Sequence, residues 1–207
     1  MPTLAFNVWA SQLETAIRII RRGLDAAERA LNEETVRTIE EGNELDRKIA
    51  RGEELGYQLD EDGDLAYDPH EHLHYEHMAI DETLHQVRKS MMVTLYHAWE
   101  RTARDVTNRH GSRDNHAVLE LALNKKGIIL TPELEHLRRL VNLVKHNSKK
   151  KMLQLWEVRP DLFYDNFDPD EHFPNDWEQT IEISREQVES FFAAVVASGP
   201  THEPHSS

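Results

Sequence analysis

The sequence predicts a mainly all-α fold, an up-and-down helical bundle in which two long N-terminal helices form an antiparallel hairpin. Apolar residues recur at steps of three and four along residues 4–51 and 70–110, and neither segment contains a proline. Hydrophobic residues make up 39% of the 207 positions and charged residues 30%, which allows a core but carries too much charge for a membrane protein. The length indicates a single helical domain, residues 1–199, followed by a mobile tail at 200–207.

The first long helix is predicted over residues 4–51. Its regularly spaced apolar residues are Trp9, Leu13, Ile17, Ile20, Leu24, Ala27 and Leu31. Beyond this stripe the segment is rich in Glu and Arg and has few apolar residues. We therefore expect residues 35–80 to form a hairpin that projects from the compact core.

A minor β-hairpin is predicted near residues 56–67. Two short segments, residues 56–59 and 65–67, flank the sequence Asp60-Glu61-Asp62-Gly63. An Asp-Gly pair adopts the positive φ values of a tight turn. The second long helix follows over residues 70–110, and Gly111 is its expected end.

Shorter helices complete the predicted bundle. The third is expected to begin at Ser112 or Asp114, which favour the N-cap position. The fourth has a strong start signal, with Thr131 as a hydroxyl N-cap and Pro132 at the first helical position. One or two further helical turns are expected to end before Pro160.

The C-terminal part combines an irregular segment with a last helix. Residues 160–177 are rich in Asp, Phe and Pro without periodicity, which predicts an ordered loop anchored by its aromatic side chains. Residues 180–183 alternate in polarity and predict one short strand. Ser184 and Gln187 match a capping box, so a helix is expected from there to Gly199.

Charge is distributed unevenly along the chain. The 24 basic and 38 acidic residues give a net charge of −14, which repels a nucleic-acid backbone at long range, so any such contact must be local. Residues 136–156 contain no acidic residue, and their basic residues are Arg138, Arg139, Lys145, Lys149, Lys150 and Lys151. The rest of the chain then sums to −20. This basic segment is the natural place for a phosphate group to bind.

The absence of cysteine excludes disulfides, thiolate zinc sites, iron–sulfur clusters and cysteine nucleophiles. The first residues lack the basic start and continuous apolar stretch of a signal peptide. We therefore expect a cytoplasmic protein that does not enter a membrane.

Two groups of polar residues stand out on the predicted helices. On the fourth helix, Arg139, Asn142 and His146 fall with Glu135 on a stripe about 60° wide. Polar residues opposite an apolar core are common on any amphipathic helix, but the surrounding cations favour a phosphate ligand here. On the second long helix, Glu100 and Arg104 are one turn apart in the order that favours a surface ion pair, and Tyr96 on the same face allows a polar patch instead.

Read in order, Glu100-x3-Arg104 and Arg139-x6-His146 resemble the motifs of the HEPN domain (higher eukaryotes and prokaryotes nucleotide-binding), a helical-bundle family. Its members often carry a Glu-x3-Lys/Arg pair followed by an Arg-x4-6-His motif. The sequences of residues 93–100 and 140–147 are also similar to HEPN helices, and the likeness covers about residues 80–160.

The resemblance implies a metal-independent endoribonuclease of a toxin or antiphage defence system, without a cofactor, that acts as a homodimer. It implies that His146 is the base that deprotonates the ribose 2′-hydroxyl, Arg139 clamps the phosphate and Asn142 orients it. Glu100 and Arg104 are then supporting residues. A non-catalytic RNA-binding relative of the family is the alternative within this interpretation.

Two hypotheses from other classes remain open. The acidic helical hairpin favours a protein-interaction module, such as an antitoxin, an adaptor or a subunit of a defence complex. A metal-dependent helical-bundle hydrolase is the other, because residues 70–85 contain side chains at helical spacings that suit zinc or nickel. These residues are His70, His74, His77, Asp81 and His85.

Overall fold

The computed structural model describes residues 7–53, 57–59, 65–111, 115–171 and 176–202, and it confirms the mainly helical fold. Within these residues the α-helices are α1 (Val8–Ala50), α2 (Pro69–Thr107), α3 (His116–Asn124), α4 (Pro132–His146), α5 (Lys149–Trp156) and α6 (Arg185–Ala197). Two short strands, β1 (Gln58–Leu59) and β2 (Leu65–Tyr67), precede α2, and 3-10 turns occupy Pro160–Leu162 and Trp177–Thr180. None of the described helices combines the length and apolar composition needed to cross a membrane.

The chain divides into two compact units. The hairpin unit is Gly23–Val87, and the core unit comprises Met1–Arg22 and Arg88–Ser207. The hairpin unit contains 19 of the 38 acidic residues and 5 of the 24 basic residues. The formal charge of the hairpin unit is therefore −14, the same as that of the whole chain. The core unit has equal numbers of basic and acidic residues.

Within the hairpin unit, the later part of α1 and the early part of α2 pack in antiparallel fashion, as predicted. The Asp46 Oδ1 atom lies 3.5 Å from His70 Nε2. The Leu73 side chain packs close to Gly42: a Cβ atom added at Gly42 would be in van der Waals contact with Leu73 Cδ1, at 3.8 Å. The strands β1 and β2 pair in antiparallel fashion, which confirms the minor hairpin, and its expected turn at residues 60–63 lies outside the described residues.

The core unit is built around aromatic and leucine side chains. Its largest fully buried residues include Trp99, Leu119, Leu134, Leu137, Leu140, Phe191 and Phe192. The Trp99 indole donates a hydrogen bond to the carbonyl oxygen of Ser198, at 2.9 Å. Helix α4 packs against both α5 and α6, so its apolar face is covered and its polar face is held at a defined orientation.

The start of α4 differs in one detail from the prediction. Pro132 occupies the first turn as expected, but the Thr131 side chain makes no capping hydrogen bond to the helix. Its hydroxyl instead lies 3.1 Å from the hydroxyl of Ser198, which also accepts a hydrogen bond from the Thr131 backbone N–H at 2.9 Å. Ser198 is fully buried and needs partners, and this requirement takes precedence over the local cap.

Both ends of the α2–α3 connection also differ from expectation. Helix α2 ends at Thr107, before Gly111, because Asn108 adopts the left-handed conformation with φ 52°. The N-cap of α3 is Asn115, whose side chain accepts a hydrogen bond from the Val118 backbone N–H. Ser112 and Asp114, the expected caps, lie outside the described residues.

The predicted strand at residues 180–183 is wrong. Trp177–Thr180 forms a 3-10 turn, started by the Asp176 side chain, which accepts a hydrogen bond from the Glu178 N–H at 3.1 Å. Only Ile181 makes a β-bridge there, to Phe163. The hydrogen bond to Asp176 therefore favours a 3-10 turn over the strand that the alternating polarity predicts.

Two other C-terminal predictions, the capping box and the aromatic anchoring of the loop, agree with the structure. The capping box forms: Gln187 N–H donates to the Ser184 hydroxyl, and Ser184 N–H donates to the Gln187 side chain. The centres of the Trp156, Phe163 and Phe167 rings lie within about 5.2 Å of one another. These contacts anchor the predicted loop, residues 160–177, to the end of α5. Of the tail, Thr201 accepts a hydrogen bond from the Asn7 side chain at 2.9 Å, and residues 203–207 lie outside the described residues.

Candidate functional site

The polar face of α4 is set by the apolar residues on its other side. Leu134, Leu137, Leu140, Val141 and Leu143 are buried, so the positions between them point away from the core. These positions carry Arg138, Arg139 and Asn142, each partly exposed. The sequence pattern of α4 alone therefore presents two guanidinium groups on one surface.

A cleft of about 260 Å³ separates this face of α4 from α5. It is lined by Arg138, Arg139, Asn142, Lys151, Gln154 and Glu157. Three of these side chains are cationic, one is anionic and two are amides. Such a lining favours a small anion, and a phosphate group in particular, because both arginines and amides can donate to its oxygens.

Both arginines of the cleft are hydrogen-bonded to Glu135. Arg138 makes two bonds of 2.6 Å, from Nε to Oε2 and from Nη2 to Oε1. Arg139 donates from Nε to Oε1 of the same carboxylate at 3.2 Å, and from Nη1 to the backbone carbonyl of Gln154 at 2.7 Å. Spacings of three and four residues place Glu135 one turn before both arginines, so one carboxylate reaches the two guanidinium groups.

The charges of this group are stabilised by each other. Partial burial acts to raise the pKa of Glu135, but the hydrogen bonds from Arg138 and Arg139 outweigh it and hold that pKa below its ordinary value. The hydrogen bonds to Glu135 in turn raise the pKa of Arg138. Glu135 and Arg138 are therefore both ionised at neutral pH.

His116 lies on the other side of Glu135. Its Nε2 atom is 3.7 Å from Glu135 Oε2, and its Nδ1 atom is 3.0 Å from the Tyr96 hydroxyl. Burial, and then the nearby charge of Arg138, lower the pKa of His116. Burial, followed by the Glu100 carboxylate, raises the pKa of Tyr96 far above its ordinary value. At neutral pH this pair consists of an uncharged imidazole and an uncharged phenol.

A second cleft adjoins this group. It measures about 400 Å³ and is lined by Asn115, His116, Ala117, Glu120, Glu135 and Arg138. It shares Arg138 with the α4–α5 cleft, and it also contains Glu135, the carboxylate that binds both arginines. Its extra carboxylate, Glu120, makes it less suited to an anion than the α4–α5 cleft.

The supporting group predicted on α2 forms as an ion-pair network. Arg104 donates to Glu100 at 2.9 Å, and the His97 Nδ1 atom lies 3.3 Å from the same carboxylate. Burial acts to raise the pKa of Glu100, but the bonds from Arg104 and His97 lower it overall. The charges of Glu100, Arg138, Glu135 and Arg104 all influence Tyr96, which places this network beside the group on α4.

His146 occupies the last turn of α4 and is exposed. Among the described residues it makes no hydrogen bond or ion pair, and it is not one of the described side chains that line the α4–α5 cleft. The structure thus places Arg139 and Asn142 in one cleft and leaves His146 at the helix end. His146 lies seven positions after Arg139, which is about 10 Å along the helix axis.

The remaining basic residues differ in their surroundings. Lys145 and Lys150 are exposed, whereas Lys151 lines the α4–α5 cleft. The Lys149 ammonium lies 5.9 Å from the centre of the Trp177 ring. Lys149, Lys150 and Lys151 form the first turn of α5, next to the cleft that Lys151 lines, whereas Lys145 lies in the last turn of α4.

The candidate metal ligands of the hairpin unit lie near separate carboxylates. His70 lies near Asp46, and His77 lies 3.6 Å from Asp81, so the side chains pair with separate carboxylates. His85 has a buried Nδ1 atom without a hydrogen-bond partner. Among the described residues, no group of three or more His, Asp or Glu side chains is arranged to hold a metal ion. The metal hypothesis, which also included His74, therefore loses its geometric basis.

Several residues of the site carry no recognisable signal in the sequence. His116, Gln154 and Glu157 come from α3, from α5 and from the residue after α5, and no motif links them to α4. Glu135 is different, because its spacing to Arg138 and Arg139 is visible in the sequence. What the sequence does not show is that one carboxylate binds both arginines.

Comparison with protein-family models, curated proteins and solved structures finds no match for this chain. Functional inference therefore depends on the chemistry of the residues that the fold brings together.

Proposed function

We propose that this chain is an HEPN-like protein that binds single-stranded RNA, with backbone phosphates in the α4–α5 cleft. The observation that carries the proposal is the pair of guanidinium groups, Arg138 and Arg139, directed to a cleft that also contains Lys151. Arginine and lysine are the residues that bind phosphate groups in nucleic-acid interfaces. The balanced charge of the core unit supports this, because the excess acidic charge belongs to the hairpin unit.

The chemistry proposed for this surface is RNA cleavage without a metal or a cofactor, as in a cytoplasmic toxin or antiphage protein. His146 removes the proton from a ribose 2′-hydroxyl, and the 2′-oxygen attacks the adjacent phosphorus. A 2′,3′-cyclic phosphate forms as the bond from phosphorus to the 5′-oxygen breaks, and the 5′-oxygen takes a proton from water. Arg139 stabilises the charge that develops on the phosphate oxygens, and Asn142 donates to one of them. A homodimer that joins two such α4 surfaces would bring the base and the clamp together.

The test is RNA cleavage in a buffer that contains EDTA. His146→Ala and Arg139→Ala should each abolish cleavage, and both should stay folded because His146 is exposed and Arg139 is outside the apolar core. His110→Ala is the matched control, because His110 is another exposed histidine of the core unit. Cleavage that survives in His146→Ala, or that EDTA abolishes in the wild type, contradicts the catalytic proposal. RNA binding without cleavage would identify the non-catalytic relative.

A protein-interaction module is the second candidate, favoured by the concentration of the net charge in the hairpin unit. Val36 and Ile39 add two exposed apolar side chains to the same stretch of α1, at 55% and 53% exposure. Such a surface suits a basic amphipathic partner.

A lysine–leucine amphipathic peptide tests this second candidate against a scrambled peptide of equal charge. The ordered peptide should bind more tightly, and Val36→Ser with Ile39→Ser should remove the difference. Ile19→Ser, which alters an exposed residue of α1 in the core unit, should not. Equal binding of the two peptides contradicts the candidate.

A further inference from the structure

The carboxylate of Glu135 is the shared partner of both cleft arginines. Its Oε1 atom accepts from Arg138 Nη2 and Arg139 Nε, and its Oε2 atom accepts from Arg138 Nε. The Arg139 guanidinium is held a second time, by the Gln154 carbonyl. Each guanidinium has five N–H groups and uses two of them in bonds to the described residues, so three can donate to a ligand.

We propose that Glu135 is a positioning residue, which holds the guanidinium groups of Arg138 and Arg139 in the orientation that binds an RNA phosphate in the α4–α5 cleft. This inference rests on the proposed RNA-binding function. Glu135 is not one of the described side chains that line this cleft, and it acts through the two arginines.

The surroundings of Glu135 restrict its own movement. Its Oε2 atom faces His116, whose side chain is only 13% exposed and is hydrogen-bonded to Tyr96. The rings of Tyr96 and Trp99 both pack against the His116 ring, with centroid distances of 6.2 and 5.3 Å, and they contact each other at 5.6 Å. The buried core of the unit thus supports the imidazole, the imidazole borders the carboxylate, and the carboxylate orients the arginines.

Positioning and simple electrostatics predict opposite effects for the loss of this residue. A carboxylate near an anion site repels the anion, so its removal alone would tighten binding. If Glu135 instead fixes two long side chains, its loss restores their rotamer freedom, and binding must then order them again. Binding should become weaker even though a negative charge has been removed.

The experiment measures the affinity of a fluorescein-labelled decauridylate by fluorescence anisotropy at about 0.05 M salt. Glu135→Gln removes the charge and places an amide N–H₂ group against the arginines. Glu135→Asp keeps the charge but is one methylene shorter, so it cannot reach both guanidinium groups. We expect each variant to bind roughly five- to tenfold more weakly than the wild type.

Two acidic residues provide matched controls. Glu157 lines the same cleft but makes no side-chain hydrogen bond or ion pair among the described residues, so Glu157→Gln should tighten binding about two- to threefold. Glu133 lies on α4 one turn before Leu137 and binds Arg159 and His136, outside the described lining of the cleft. Glu133→Asp therefore breaks a comparable ion pair and should lower the melting temperature without changing the affinity.

The outcomes separate the inference from the function on which it rests. Wild-type protein that does not bind the decauridylate overturns the RNA-binding proposal and, with it, the role of Glu135. Wild-type binding with unchanged affinity in Glu135→Asp, or tighter binding in Glu135→Gln, overturns only the positioning role. Weaker binding in Glu133→Asp equal to that in Glu135→Asp would also overturn it, because the loss would then follow from destabilised α4.

Discussion

The side-chain oxygen of Asn147 accepts a hydrogen bond from the backbone N–H of Trp177, at 2.7 Å, and another from Glu178 at 3.2 Å. Asn147 directly follows His146 and ends α4 in the left-handed conformation, with φ 39°. One residue thus ends the helix of the candidate site and holds the start of the 3-10 turn thirty residues later in the chain.

The first prediction separates the two roles of Asn147. Asn147→Gly keeps the left-handed backbone but loses the side-chain acceptor, so it should lower the free energy of unfolding by about 1 kcal/mol. Asn147→Ala also strains the backbone and should cost about 1–2 kcal/mol more. Urea denaturation followed by circular dichroism measures both. Equal stability of the two variants would show that the left-handed conformation has no cost here.

The second prediction concerns salt. With three to five phosphate contacts, the plot of log affinity for single-stranded RNA against log salt should have a slope of roughly −2 to −3.5. Replacement of Lys149, Lys150 and Lys151 by Ala should flatten this slope by about one to two units without changing which sequence is bound, since phosphate contacts carry no base information.

Lys125 and Lys126 serve as the control for the salt experiment, because they are exposed cations of the core unit that follow α3. Their replacement by Ala should leave the slope unchanged. A slope that stays the same in the triple variant would count against the α4–α5 surface as the RNA site.

The third prediction concerns the homodimer. Because the chain has no cysteine, a single one can be introduced without competing thiols. If two α4 surfaces face each other across a two-fold axis, Asn142→Cys should form a disulfide-linked dimer under mild oxidation, since such a bond needs Cβ atoms about 3.8 Å apart. Electrophoresis without reducing agent measures the product. Asn124→Cys, an exposed position on α3, should remain monomeric. Equal cross-linking of both variants would indicate random collisions.

The fourth prediction follows from His116, whose pKa is lowered in the folded protein by burial and then by Arg138. Below the ordinary histidine pKa of about 6.5, the unfolded chain binds a proton that the folded chain does not, so unfolding is favoured as the pH falls. The free energy of unfolding should therefore decrease between pH 7 and pH 5.5. His116→Asn should show a smaller decrease than the wild type.

His110→Asn is the control for this experiment, because it removes an exposed histidine of the core unit by the same substitution. Urea denaturation at the two pH values measures the difference for each variant. The same decrease in His116→Asn as in the wild type would mean that His116 does not contribute.

The sequence by itself determined the helices and those caps that depend on near neighbours. The three-to-four periodicity located α1, α2 and α4, and the Ser184–Gln187 capping box and Pro132 marked two helix starts. These signals are local, because a helix forms between residues three and four positions apart and its apolar stripe repeats with the same period. The polar face of α4 was visible in the sequence for the same reason.

Only the tertiary structure decided which distant groups share hydrogen bonds. The Thr131 hydroxyl is hydrogen-bonded to the Ser198 hydroxyl and therefore does not cap α4. The Asn147 side chain accepts a hydrogen bond from the Trp177 N–H at the start of the 3-10 turn. The Gln154 carbonyl and the His116 ring reach Arg139 and Glu135 from other helices. Buried polar groups must find partners wherever the packed core places them, and that placement depends on contacts across the whole unit, which no pattern of neighbouring residues contains.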